Sequence, residues 1–193
     1  MNLETLPQFS IRPCGENSEA FLEFGINNFH DAVKFIHRLP YGRNTDRSEY
    51  RLVLSERKGT CSTKHALLSC LCIEQGISEI MLYTGIYEMK ESNTHVVGEV
   101  LQKYGLDCIP EAHCYLRYNG DMYDFTRDST NHETITKFLT EIPIAPDQIG
   151  IFKIQFHRAY MPIWLNDYNL HRRFDPDGLW RIREECIKAL SKV

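Results

Sequence analysis

The stretch Ala112-His113-Cys114-Tyr115-Leu116-Arg117-Tyr118-Asn119-Gly120-Asp121-Met122-Tyr123-Asp124-Phe125-Thr126 decides the fold. Ala112 to Tyr118 and Met122 to Thr126 read as strands, and Asn119-Gly120 between them is a strong hairpin signal, because both residues tolerate the positive φ of a tight turn. A two-residue loop sets Tyr118 against Asp121, Tyr115 against Asp124 and His113 against Thr126; a four-residue loop keeps the same register. Side chains alternate along strands, so His113, Tyr115, Asp124 and Thr126 share one face, with His113 and Asp124 as diagonal neighbours about 7–8 Å apart at the backbone. A carboxylate bonding one ring nitrogen of a histidine fixes its tautomer and leaves the other nitrogen free to act as a base.

A base of this kind needs a nucleophile, and Cys61 is the candidate. Cys61 to Gln75 contains no Gly or Pro, Thr60 is a suitable N-cap, and Gly76 a suitable residue just past the end, so the spacing predicts a helix that Cys61 opens. A thiol at a helix N-terminus has unpaired amide donors and the positive dipole end beside it, which favour the thiolate and supply one oxyanion-hole donor.

Around this centre, Phe29, Ala32, Val33, Ile36 and Leu39 recur at helical spacing and stop at Pro40, predicting a helix from Asn28. Residues 1–27 carry little signal. Ile80 to Tyr87 reads as a strand, His95 to Tyr104 as a helix, Ile135 to Leu139 as a short helix and Ile149 to Phe156 as a strand. Asp175-Pro176 caps a terminal helix with Leu179, Ile182, Cys186, Ile187 and Leu190 as its apolar stripe. With no repeat or linker, the expectation is one α+β domain over 1–193.

The 193 residues are 42% hydrophobic and 25% charged, values of a folded globular chain rather than a disordered or fibrous one. A net charge of -4 gives no basic stripe for a phosphate backbone, so nucleic acid is not an expected partner. No apolar run reaches the roughly 18–20 residues of a membrane span, and the start Met1-Asn2-Leu3-Glu4-Thr5 has no signal-peptide pattern, so no membrane association is expected and the protein is placed in the cytoplasm. Seven cysteines without framework spacing fit free thiols in a reducing compartment.

Gly59-Thr60-Cys61-Ser62-Thr63-Lys64-His65-Ala66-Leu67-Leu68 resembles the Gly-x-Cys helix start of transglutaminase-like proteins. His113-Cys114-Tyr115-Leu116 followed by Tyr123-Asp124-Phe125-Thr126 resembles that superfamily's His strand and Asp strand, in the same order. The preceding helix ending in Pro40-Tyr41 and the Glu74-Gln75-Gly76-Ile77 that follows also fit, so the likeness covers about residues 29–126 and leaves 127–193 as an extension. It implies a papain-like core, a Cys-bearing helix packed on an antiparallel sheet carrying His and Asp, with Cys61, His113 and Asp124 as catalytic triad. It further implies acyl transfer through a thioester on a peptide, protein or small amide substrate, with water or an amine as acceptor and no cofactor or metal. The alternative is the same fold serving, inactive, as a binding or scaffold module. Ser55-Glu56-Arg57-Lys58 holds neither the upstream Gln of papain-like enzymes nor the Trp of animal transglutaminases, which leaves the second oxyanion donor unassigned. Arylamine acetyltransferases share the triad order, but Arg57-Lys58-Gly59-Thr60-Cys61 is one Gly short of their start.

Other residues get plainer readings. His65, four residues after Cys61 on the same helix face, is expected to pack beside the site or lie in solvent rather than to compete for the thiolate. Cys70 and Cys72 point to different helix faces and complete no tetrahedral metal set. Glu111 is expected as an edge charge. The polar loop Tyr41-Gly42-Arg43-Asn44 with Arg47, and Asn93-Thr94-His95, are expected to be solvated.

Overall fold

The computed structural model describes residues 3–127 and 134–190. Among them the chain forms seven α-helices and a four-stranded antiparallel sheet, an α+β architecture. The order is α1 (Glu16–Glu23), α2 (Phe29–Arg38), α3 (Leu52–Glu56), α4 (Cys61–Glu74), β1 (Met81–Met89), α5 (Gly98–Lys103), β2 (Ile109–Tyr118), β3 (Asp121–Tyr123), β4 (Thr140–Pro143), a 3-10 turn (Pro146–Ile149), α6 (Ile151–Asp167) and α7 (Pro176–Leu190). The strands lie in the order β3-β2-β1-β4. No helix among the described residues is long and apolar enough to cross a membrane. The described residues form two compact units: 3–84, 114–127 and 143–150 in the first, 85–113, 134–142 and 151–190 in the second.

In the first unit, α2 buries Phe29, Ala32, Val33 and Ile36 at helical spacing. Its N-cap Asn28 accepts from the Asp31 amide, and it ends as Leu39 turns extended ahead of Pro40. α4 begins and ends where its residues dictate. The Thr60 side chain accepts from the Thr63 amide, the Thr63 side chain accepts from the Thr60 amide, and Gly76 takes φ +76 just past the end. α1 had no sequence signal of its own because its cap comes from elsewhere. The carboxylate of Glu74, the last residue of α4, accepts from the amides of Asn17 at 3.0 Å and Ser18 at 2.6 Å. An anion at a helix N-terminus is stabilised there. Burial opposes its charge, but these bonds hold the Glu74 carboxyl below the usual range.

The second unit has its core between α6 and α7, where Met161, Trp164 and Leu165 meet Leu179, Ile182 and Cys186, with Leu101 of α5 and Ile109 of β2 joining them. The predicted terminal helix is α7, with the Asp175 carboxylate accepting from the Gly178 amide. Three expectations are corrected. Residues 149–156 form not a strand but the end of the 3-10 turn and the start of α6. Ile149 is buried in the 3-10 turn, but the apolar residues that follow it, Ile151, Phe152 and Ile154, are exposed, and within α6 burial begins only at His157, Met161, Trp164 and Leu165, at helical spacing. Of residues 135–139, expected helical, none is in a helix; they run irregularly into β4. The helix expected over 95–104 shortens to α5, because Val96 sits at φ +73.

That conformation is costly for a β-branched side chain. It is held by Glu91, whose carboxylate accepts from the amides of Val96 and Gly98. Val96→Gly is therefore expected to raise stability by about 0.5–1 kcal/mol, net of glycine's extra unfolded-state entropy. Thermal unfolding of the variant measures this, and a drop in melting temperature would refute it.

Glu111 is not an edge charge. It is 6% exposed, and both carboxylate oxygens accept from Arg183 of α7, at 2.6 and 2.7 Å. Beside the pair, the buried His157 donates Nε2–H to the Pro110 carbonyl at 2.8 Å and packs edge-on against Trp180. Burial pushes the His157 imidazole down to about 4 despite the Glu111 charge, so the ring is neutral at pH 7.

Candidate active site

The hairpin has the register that Asn119-Gly120 predicts: Tyr118 opposes Asp121, Arg117 opposes Met122 and Leu116 opposes Tyr123. β3 nevertheless stops at Tyr123, short of the strand expected to reach Thr126. Asp124 ends it. Its carboxylate oxygen Oδ1 accepts from the Thr126 amide at 2.9 Å and the Thr126 hydroxyl at 2.5 Å, and this side-chain turn competes with ladder pairing. Asp124 therefore sits one residue beyond the ladder instead of opposite Tyr115.

Cys61 is the first residue of α4 and is 9% exposed. Gly59 lies two residues before it. Its amide donates to the Pro40 carbonyl, its carbonyl accepts from the Gly42 amide, and Tyr41 bridges to it in parallel. A Cβ on Gly59 would come within 2.9 Å of Lys64 Cγ and 3.0 Å of Val53 Cγ2, so the approach to Cys61 has room only for glycine. The Asn44 side chain closes the other flank, accepting from the Thr63 hydroxyl and donating to the Lys58 carbonyl. It is buried, where solvent was expected.

The next turn of α4 ties Cys61 to the Asp124 segment. His65 is fully buried, with Nδ1 2.8 Å from the Cys61 carbonyl and Nε2 accepting from the Phe125 amide at 2.7 Å. Since Nε2 accepts, Nδ1 carries the proton and donates to Cys61. Asp124 Oδ1 lies 3.7 Å from the same Nε2. Both ring nitrogens thus serve backbone groups, and His65 is a brace between the two segments, not a base for the thiol. Lys64 is fully buried beside it, its ammonium donating to the carbonyls of Leu39 at 2.6 Å and Thr126 at 2.9 Å. Burial first, and the charge of Arg127 second, push it down to about 8.

Of the three residues expected from the sequence, Cys61 and Asp124 thus lie at the two sides of one imidazole, in the first unit. His113 lies in the second, within β2, 7% exposed and edge-on to the Tyr87 ring at 6.0 Å. His65 packs beside Cys61, one of the two positions expected for it, but its bracing role and the burial of Lys64 escaped the sequence reading. A usable signal was present, for Lys64 is the lone charge between Cys61 and Ile73 in a run apolar or uncharged on every helix face, and such a helix is buried all round.

All seven cysteines are free thiols, with Cys72, Cys114 and Cys186 fully buried. Burial raises Cys72 strongly and Cys186 to about 12, so both are inert near neutrality. No group of three or more potential metal ligands occurs among the described residues. Comparison with known proteins finds no family model, curated protein or solved structure that matches this chain.

Proposed function

We propose that the protein is a cysteine-dependent acyl-transfer enzyme of transglutaminase-like type, with Cys61 as nucleophile, His113 as general base and acid, and Asp124 as the residue that orients His113. The observation that supports the reading is the convergence of the Cys61 backbone carbonyl and the Asp124 carboxylate on the buried His65, which ties the start of the Cys61 helix to the segment that follows the hairpin. The thiol proton passes to His113 as Sγ bonds to the acyl carbon of an amide. The C–N bond then breaks, His113 protonates the departing amine, and the acyl group remains as a thioester on Cys61. Water or an amine attacks that thioester, gives its proton to His113, and the proton returns to Sγ as the product leaves. The Cys61 amide, at the positive end of α4, serves as one donor to the tetrahedral oxyanion.

The test is the pH dependence of Cys61 alkylation by iodoacetamide, mapped by peptide mass, with the other cysteines as internal controls. If His113 stabilises the thiolate, His113→Ala lowers the Cys61 rate at pH 6 by about 100-fold, the change in thiolate fraction as a thiol returns from near 6 to its ordinary value of about 8.5. A rate indifferent to His113 in a folded variant overturns the proposal. One observation favours the scaffold reading instead: Oδ1 of Asp124 already serves as a turn cap for Thr126. On that reading Cys61 titrates like the other thiols.

A further inference from the structure

A cavity of about 350 Å³ opens in the first unit, lined by His37, Arg38, Leu39, Pro40, Tyr41 and Arg127. The volume is that of a small-ligand site. Its lining has two guanidinium groups and an imidazole and no carboxylate. The Arg127 guanidinium carbon lies 3.8 Å from the centre of the Tyr41 ring, a cation–π contact that holds the cation at the wall. Two of the wall's backbone carbonyls are already engaged: Leu39 accepts from the Lys64 ammonium and Pro40 from the Gly59 amide. These same bonds join the cavity wall to the Cys61 helix. Gly59 precedes the thiol by two residues, and Lys64 follows it within the first turn.

A concave, cationic wall with planar fork donors is suited to a carboxylate or phosphate, which binds arginine through paired charge-assisted hydrogen bonds. We propose that this cavity is an oxyanion subsite of the Cys61 site, which selects acyl donors carrying a carboxylate or phosphate next to the amide that is cleaved. The proposal rests on the acyl-transfer reading above and specifies the substrate class for it. Leu39 and Pro40 of the wall are bonded to Lys64 and Gly59, on either side of Cys61 in sequence, and Arg127 follows Asp124 by three residues, so an anion seated there lies alongside the segments that hold both residues. Among the described residues neither Arg38 nor Arg127 is ion-paired with a carboxylate that an incoming anion would have to displace.

The test titrates the full-length protein calorimetrically with inorganic phosphate and, separately, with glutarate, at fixed ionic strength. At least one is expected to saturate a single site, and the tighter of the two tells a phosphate source from a carboxylate source. The double variant Arg38→Gln/Arg127→Gln should bind at least about tenfold more weakly, the loss of charged hydrogen bonds to the ligand. Arg127→Gln alone repeats the test with a single exposed change, and thermal unfolding verifies that both variants are folded. Failure of both anions to saturate, or equal binding by the double variant, overturns the proposal.

A second readout places the cavity. The bound anion should slow alkylation of Cys61 by iodoacetamide in the wild type and have no effect in the double variant. If an anion binds through the two arginines without touching that rate, the cavity is not a subsite of Cys61 and the proposal fails, whereas the acyl-transfer reading stands or falls separately on the His113 dependence. If the anion slows alkylation but His113→Ala does not, the cavity flanks a thiol that is not catalytic; the acyl-transfer reading fails, and with it the assignment of the cavity to acyl donors.

Discussion

Arg183→Met is expected to lower stability at pH 7 by about 3–5 kcal/mol, because it leaves Glu111 buried as a charge without its partner. The bidentate bond from Arg183 overcomes the burial that disfavours ionisation and holds the Glu111 carboxyl down at about 2. A carboxyl depressed in the folded state contributes stability above its unfolded value of about 4.3, and that contribution fades as pH falls toward 2. The gap between wild type and variant should therefore be full at pH 7 and narrow between pH 4 and 2. Denaturant unfolding across that range measures it. The double variant Glu111→Leu/Arg183→Met should recover much of the loss, because it removes the stranded charge as well as its partner. A single-variant cost below about 1 kcal/mol, the value of an exposed pair, would show that Glu111 reaches water.

Lys64→Met is expected to produce the second large effect, and its signature is a dependence on alkaline pH. The folded lysine loses its proton near 8, the unfolded one near 10.4. Between those values the unfolded state binds more protons, so the contribution of Lys64 to stability rises with pH, by as much as roughly 3 kcal/mol by pH 10. Below pH 8 the ammonium is present in both states, and its burial costs stability that the bonds to Leu39 and Thr126 offset. Methionine abolishes the titration and leaves both carbonyls without their donor. Stability of wild type minus variant, measured at pH 7 and again at pH 10, should accordingly widen. A difference that is flat in pH would mean that the amine is hydrated. Taking the difference cancels the buried thiols, whose raised values destabilise both proteins alike as pH increases.

The parts of this molecule legible in its sequence are those fixed by local rules. Asn119-Gly120 set the hairpin register, Thr60 and Gly76 bounded α4, and Asp175-Pro176 began α7, each through a turn or cap whose partners lie within a few residues. What was missed depends on partners distant in the chain. α1 needs Glu74 to cap it, Glu111 is buried only because Arg183 meets it, and Lys64 tolerates burial only because Leu39 and Thr126 supply acceptors. β3 was drawn too long because the Asp124 side chain could not be known to prefer Thr126 over the ladder. α6 was read as a strand because exposed isoleucines imitated a buried face. The Cys61 helix start was thus found by pattern, while the Asp124 turn and the two bonds by which the His65 imidazole spans the segments were not.

That imidazole also imposes an order on the chain during synthesis. α4 leaves the ribosome complete, capped at Thr60 and closed at Gly76, well before the hairpin exists. His65 then lacks the Phe125 amide and Lys64 lacks the Thr126 carbonyl. Two polar groups that can be buried only with those bonds hold the first turn of α4 open to water until residues 125 and 126 arrive. A nascent chain therefore carries the Cys61 thiol on an unsealed α4 segment, and the environment that would tune it is assembled only with the hairpin.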